Sequence, residues 1–302
     1  MRGRPGRPFA LIAVLLATAA LVAGCERRAQ EEPAAGEAAA TIVATADYGA
    51  VPLLDVRAEP GQSVMRALRG ATEVQTAYGG DFVDGMLGRD SDPGGTRDWF
   101  FYVDGVVSPV GARQVDLSDG DAVWWDYRDW GALIDAPAVV GMWPAPFARP
   151  AGDAPRPVAA DPPLAAALEE AGAQLAGGDS PWRVRVGASP DLARRDPAWR
   201  RALADPDRAG LTVAIEDGRI TALGPDADAR EPVAGARALA AAVPTGLQPA
   251  DGVLLAVAGL DAAAARAAAA TIAGDPSVLR LRYAEAFDGR GRPLRAGGRT
   301  EP

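Results

Sequence analysis

Residues 99–131 hold four of the chain's seven tryptophans, beside Phe100, Phe101, Tyr102 and Tyr127 and interleaved with acids. Rings at that density can stack on a flat ligand or hold one edge of it. The candidates are Tyr102, Trp124, Trp125, Tyr127 and Trp130, with Asp104, Asp119 and Asp121 in the adjoining turns. The same rings also suit core filling and packing between domains. Asp119 with Asp121, and Asp126 with Asp129, are carboxylate pairs of the kind glycosidases use, although acids in turns commonly serve turn geometry alone. Other catalytic groups are missing. There is no histidine, so the commonest general base and metal ligand is absent. No Gly-x-Ser-x-Gly elbow or Ser-x-x-Lys occurs. Residues 90–95 begin like a calcium loop, but Gly94 stands at the third ligand position and no bidentate glutamate follows at the right distance. The sequence predicts a protein that is not an enzyme, with no metal site and no resident cofactor.

Strands must position those rings. Trp99, Phe101 and Val103 point one way along a strand, and Phe100 and Tyr102 the other. Asp104-Gly105 tolerates positive φ and closes a two-residue hairpin. Val106-Val107 begins the return strand, which Ser108-Pro109 ends. A second turn at residues 118–121 leads into a strand with Val123, Trp125 and Tyr127 on one face and Ala122, Trp124 and Asp126 on the other. One face can fill a core against a helix. The other carries more ring area than a solvated surface normally shows. If that face is open, it favours ligand binding. If Trp143 and Phe147 cover it, it favours a scaffold or adhesion module that docks protein.

The order of aromatic strand, Val-Asp-Gly turn, short return strand, Leu-Ser-Asp-Gly-Asp and second aromatic strand resembles the transcobalamin-like C-terminal domain family, a β-grasp family also known as DUF4430. The matching positions are Trp99, Tyr102, Val103, Asp104, Gly105, Gly111, Leu117, Gly120, Asp121, Val123 and Trp125. The resemblance covers roughly residues 41–130, under a third of the chain. It implies a β-grasp domain in a bacterial surface protein and a corrinoid as the leading candidate ligand, delivered to a membrane transporter. With no histidine to replace the lower cobalt ligand, a corrinoid would bind base-on or with water at cobalt.

Residues 1–24 read as a secretory signal. Arg2, Arg4 and Arg7 precede an apolar stretch too short to span a bilayer comfortably. It ends in Leu21-Val22-Ala23-Gly24-Cys25, which resembles a bacterial lipobox. Cys25 is the only cysteine and sits where a diacylglyceryl group would be attached, which predicts a lipid anchor on the extracytoplasmic face of the cell membrane. With 31 basic against 40 acidic residues the net charge is −9, and every basic residue is arginine. An acidic surface argues against nucleic acid and anionic headgroups as partners. Residues 25–40, rich in Glu and Ala, read as a disordered tether.

Residues 41–50 and 51–58 read as strands. Ser63 caps a helix whose apolar face is Val64, Leu68 and Ala71, and a strand follows at 74–78. A glycine-rich loop is expected over 79–97. The β-grasp domain thus spans 41–134. Residues 135–163 carry eight prolines and read as a linker, with the apolar run 142–147 packing across the domain interface. A second, α/β domain is expected over 164–290, followed by a disordered tail at 291–302. Helices are expected at 164–177, 198–204, 233–242 and 261–273, the last capped by Asp261 and ended by Gly274. Strands are expected at 182–188, 211–215, 220–223, 253–258 and 279–287, in a mixed sheet. Strand, Gly259 and helix resemble a phosphate-binding turn, but one glycine without a Walker lysine does not support it. The fold class predicted is α+β: a β-grasp-like domain, then an α/β domain with a mixed sheet.

Overall fold

The computed structural model describes residues 39–295, apart from 132, 134–135, 149–155, 225–229 and 249–250. The expected signal, Cys25 and nearly all of the tether lie outside the described residues, as does most of the tail.

The first half is built from β1 (Ala40–Ala46), β2 (Val51–Ala58), α1 (Val64–Ala71), β3 (Val74–Ala77), β4 (Phe82–Met86), β5 (Arg89–Asp90), β6 (Arg97–Val103), β7 (Val106–Val107) and β8 (Ala122–Asp129). The main sheet has the order β2-β1-β8-β6-β7. Its first and last long strands, β1 and β8, run parallel at its centre, and the other pairs are antiparallel. That is β-grasp order, with α1 across one face. Ser63 caps α1 by accepting from the Arg66 amide. Val64, Met65 and Leu68 pack onto Ile42, Ala44, Trp99, Phe101, Val123 and Trp125, so the alternation read along β6 and β8 holds. The stretch expected as a loop over 79–97 is partly a sheet. β4 pairs with β3 on one side and with β5 on the other, the chain turning between β4 and β5 at Leu87-Gly88, which both adopt positive φ.

The second half holds β9 (Val158–Ala160), α2 (Leu164–Glu170), β10 (Trp182–Ala188), α3 (Ser189–Arg195), α4 (Pro197–Ala204), β11 (Val213–Glu216), β12 (Arg219–Leu223), β13 (Arg230–Pro232), β14 (Ala236–Pro244), β15 (Val253–Gly259), α5 (Ala262–Gly274) and β16 (Ala284–Asp288). Its sheet runs β16-β14-β15-β10-β9. β9, β10 and β15 are parallel, and β14 is antiparallel to both its neighbours. The chain is therefore α+β with a mixed second sheet. Along β15, Val253, Leu255 and Val257 face one core with α2 and α5. Leu254, Ala256 and Ala258 face another with α3, α4 and the β11–β12 hairpin.

Several expectations are corrected. The helix read over 233–242 is strand β14. Alanine favours helix in isolation, but here Ala238, Ala240 and Ala242 enter one core and Leu239, Ala241 and Val243 the other. Small residues on a two-sided central strand let helices approach both faces, and that packing overrides propensity. The helix from Leu164 stops at Glu170, because Gly172 takes φ 90° and the chain turns back to pair Leu175 with Val158. The last strand is shorter than expected. Pro276–Leu279 is a 3-10 turn, and β16 begins only at Ala284. The proline-rich stretch is not free chain where it is described. β9 belongs to the second sheet, and Ala138, Val140, Trp143 and Phe147 are buried in its core.

Candidate functional site

Both sheets belong to one compact unit, and the aromatic face of the first is where they meet. Tyr102 and Trp124, fully buried, pack with Tyr48, Leu133, Val139 and Tyr283. Tyr283 comes from just before β16. Its ring stands edge-on to Tyr48, Tyr102 and Trp124 at centroid distances of 5.1, 5.7 and 5.2 Å. Of the two alternatives, open or covered, the aromatic face is covered. Its main cover is Tyr283, Val139 and Met142, while Trp143 and Phe147 turn into the second core. The reason is the two-sided segment at 138–143. Val107 donates its amide to Pro137 O at 3.0 Å and Val139 to Gly105 O at 2.9 Å. Val140 then donates to Tyr283 O at 3.3 Å, and Leu281 to Gly141 O at 3.1 Å.

A buried polar network lies beneath. Asp126, with no exposed surface, accepts from Thr45 Oγ1 at 2.6 Å, Tyr48 N at 3.1 Å, Gly49 N at 3.2 Å and the Tyr283 hydroxyl at 2.9 Å. The Trp124 indole donates to Thr45 Oγ1 at 2.7 Å. Tyr102 and Tyr283 share a hydroxyl contact of 3.2 Å. The Arg128 guanidinium lies 3.9 Å over the Phe100 ring and donates to Leu133 O at 2.6 Å, and it stays charged at neutral pH. Tyr48 OH donates to Asp129 O. Burial pushes the Asp126 carboxyl up, against the hydrogen bonds of Thr45 and Tyr283 and the charge of Arg128. Burial also pushes Tyr48 up to about 12, and burial with the Asp126 charge raises Tyr283 well above its usual value. Each perturbed group is tied to another within the joint, which is how a structural network shifts pKa values without chemistry.

The other expected site residues are also accounted for. Trp125 stacks on Phe101 at 4.6 Å and faces α1. Tyr127 sits on that side too, donating to Asp90 O at 2.7 Å. Trp130 is half-buried, its indole on Asp98 Oδ2 at 2.6 Å. Asp104 is buried at φ 49°, accepting from the Ala122 amide at 3.0 Å. Asp121 accepts from Ser118 N at 2.7 Å, while Asp119 is exposed. Asp126 and Asp129, three apart on a strand, point to opposite faces. Neither acid pair therefore forms a two-carboxylate site. Among the described residues no group of three or more acids gathers as for a metal ion. Sequence reading missed Thr45, Tyr48, Arg128 and Tyr283. The available signal was a hydroxyl, a carboxylate and a guanidinium inside otherwise apolar or aromatic strands.

A cleft opens at the rim of the joint. About 370 Å³ in volume, it is bounded by Val43 and Ala122 of the first sheet, Met142 and Trp143 of the segment between, and Pro276, Ser277 and Leu281 of the second half. Trp124 lies beneath its floor, under Gly141. At the mouth, Arg280 donates to Asp55 Oδ2 at 2.6 Å, both side chains being more than half exposed. The walls are apolar and the rim polar, and the volume is at the small end for ligand pockets.

Comparison with known proteins follows the first half. The family model "Domain of unknown function (DUF4430)" matches residues 61–129, from just before α1 to the end of β8. No curated protein matches the chain. Among solved structures, a Ruminococcus gnavus protein proposed to bind metal is similar at 14% identity and a TM-score of 0.27, covering 31% of this chain and 98% of its own. At that score the likeness carries nothing about this chain.

Proposed function

We propose that this is a lipid-anchored, extracytoplasmic, non-catalytic binding protein, in which the rim cleft takes a small ligand and passes it to a membrane transporter. The observation that carries the reading is the cleft itself. It touches the edge of the aromatic face, and it pairs apolar walls with an ion pair at its mouth. Cys25 supplies the anchor in this reading. The non-catalytic assignment rests on the missing histidine, on the acid pairs that do not converge, and on perturbed groups that are locked into one another.

A corrinoid is the ligand implied by the transcobalamin-like resemblance. In this chain Tyr102 and Trp124, which would stack on a macrocycle, are buried in the joint, so a corrinoid would meet mainly the cleft walls of Val43, Ala122, Met142, Pro276 and Leu281 and the Arg280 rim. A compact ligand with an apolar face suits the volume better. The second reading, a scaffold whose aromatic face docks protein, is favoured by the complete burial of Tyr102, Trp124 and Asp126 against the chain's own second half.

The test is tryptophan fluorescence of residues 26–302 titrated with cyanocobalamin, corrected for absorption, in the wild type and in Ser277→Trp, which crowds the cleft mouth. Saturable quenching that the variant weakens supports binding at the rim. Quenching unchanged in the variant moves the ligand elsewhere. No saturable quenching removes the corrinoid and favours the scaffold reading.

A further inference from the structure

The second sheet has a crevice that the first half does not touch. After β9 the chain passes to α2, and after β15 to α5, both over the face holding Leu164, Leu168, Ala268 and Ile272. After β10 it passes to α3 and α4 on the opposite face, with Leu192 and Trp199. β10 lies between β9 and β15 and is parallel to both. Helices that leave neighbouring parallel strands toward opposite faces open a crevice outside the carboxyl ends of those strands, where open α/β sheets bind ligands. A cavity of about 560 Å³ lies there, lined by Asp161 after β9, Val186, Gly187 and Ala188 at the end of β10, Asp191, Arg194 and Arg195 along α3, and the first turns of α5.

The charges at this cavity do not cancel. Asp161 accepts from Val186 N at 3.0 Å and from Arg185 Nη1 at 3.3 Å. Asp191 is paired with Arg194. Both lining acids are therefore engaged. Arg195 from α3 and Arg266 from α5 also line the cavity, and neither forms an ion pair among the described residues. Arg195 lies over the end of β10. A methyl group at Gly187 would stand 3.3 Å from its Nη2, so the glycine keeps that approach open. Two guanidiniums thus converge from opposite faces of one sheet, in a chain whose net charge is −9. Guanidinium is the side chain best matched to bidentate carboxylate or phosphate recognition.

We propose that this crevice is a binding site for a small, multiply charged oxyanion, a carboxylate- or phosphate-bearing molecule held between Arg195 and Arg266. The site is separate from the rim cleft and independent of the reading given to it. Its backbone floor is the end of β10, and its apolar wall is Val186, Pro162 and Ala262.

The test is isothermal titration of residues 26–302 with inorganic pyrophosphate and, separately, with citrate, at 20 mM and 150 mM salt. The expected result is saturable, salt-sensitive binding of at least one probe. It should weaken at least tenfold in the Arg195→Gln/Arg266→Gln double variant and at least as much in Ala262→Glu, which sets a carboxylate at the wall. Pyrophosphate binding without citrate binding assigns phosphate chemistry, and the reverse assigns carboxylate chemistry. Both arginines are exposed, so the double variant is expected to keep its fold, checked by an unchanged thermal transition. No binding of either probe, or binding that both variants retain, overturns the proposal.

Discussion

The Tyr283 hydroxyl donates to Asp126 Oδ2 at 2.9 Å across a sequence separation of 157 residues. That bond joins the second half of the chain to β8 of the β-grasp sheet, inside a shell of rings. It sets the character of the joint. A buried carboxylate is tolerable only when its acceptors are filled, and one of the four donors to Asp126 comes from the far half of the molecule.

Tyr283→Phe keeps the ring and removes that donor. Asp126 then keeps Thr45, Tyr48 and Gly49, and Tyr102 loses a hydroxyl neighbour. The expected cost is about 1–3 kcal/mol in urea unfolding. Tyr283→Ala also opens a cavity against three rings and should cost about 3–5 kcal/mol. Equal stability of Tyr283→Phe and wild type would mean that the bond contributes nothing.

Adjacent tryptophans on β8 should respond differently to the same change. Trp124 donates to Thr45 at 2.7 Å. The buried Trp125 Nε1 has no hydrogen-bond acceptor among the described residues. Truncation costs of similar size largely cancel in the comparison. Trp124→Phe should therefore be less stable than Trp125→Phe by about 1–2 kcal/mol, the worth of a lost buried bond and its orphaned partner. Denaturant midpoints of the two variants decide it, and the reverse order would contradict the network.

Two glycines let the halves approach. Gly49 has φ 83°, and a Cβ there would collide with Leu281 O. At Gly141 a Cβ would come 2.5 Å from Arg282 N and 2.9 Å from the Trp124 ring. Gly141→Ala should cost about 1–3 kcal/mol through overpacking, and Gly49→Ala at least as much because its backbone conformation is also lost. Wild-type melting of both variants would show that the joint is looser than described.

The response to acid has a definite sign at Asp196. Burial pushes its carboxyl up, but Arg183, bonding it at 2.6 and 2.8 Å, together with the amides of Ala198 and Trp199, outweighs burial and holds it below the usual range. The unfolded chain therefore binds a proton at higher pH than the folded chain does. Stability from this pair is present above the ordinary carboxylate pKa and is lost as pH falls through the folded value. Asp196→Asn should be less stable at pH 7 and should lose less stability between pH 5 and 3 than wild type. Parallel pH curves would refute the assignment.

The anchor assigned to Cys25 predicts that the full chain made in bacteria partitions into detergent phase and that Cys25→Ser moves it to the aqueous phase. A variant that still partitions into detergent would place the membrane attachment elsewhere.

Local signals carried much of the fold. Ser63 and Asp261 cap their helices as their positions suggest. β6, β8, β10 and β15 follow from aromatic or apolar runs bounded by turns. β14 was illegible because Ala236–Pro244 repeats a small residue with helical propensity, and only two cores at once make it a strand. The joint was illegible because its donors, Thr45, Tyr48 and Tyr283, are ordinary residues until the tertiary fold sets them around Asp126. Asp104 was legible as a turn former, and its burial was not. The crevice shares that limit, since Asp161, Arg195 and Arg266 follow three different strands.

Amide hydrogen exchange of residues 26–302 tests the central claim, that the aromatic face is part of a closed joint and ligands meet only its rim. The account predicts that peptides covering 122–129 and 281–287 exchange together, at the slow rate of global unfolding, while those covering 276–280 at the cleft mouth exchange faster. Rapid exchange of 122–129 in step with 281–287, well ahead of β15, would mean that the joint opens in the native protein and bares Trp124, contradicting the closed joint.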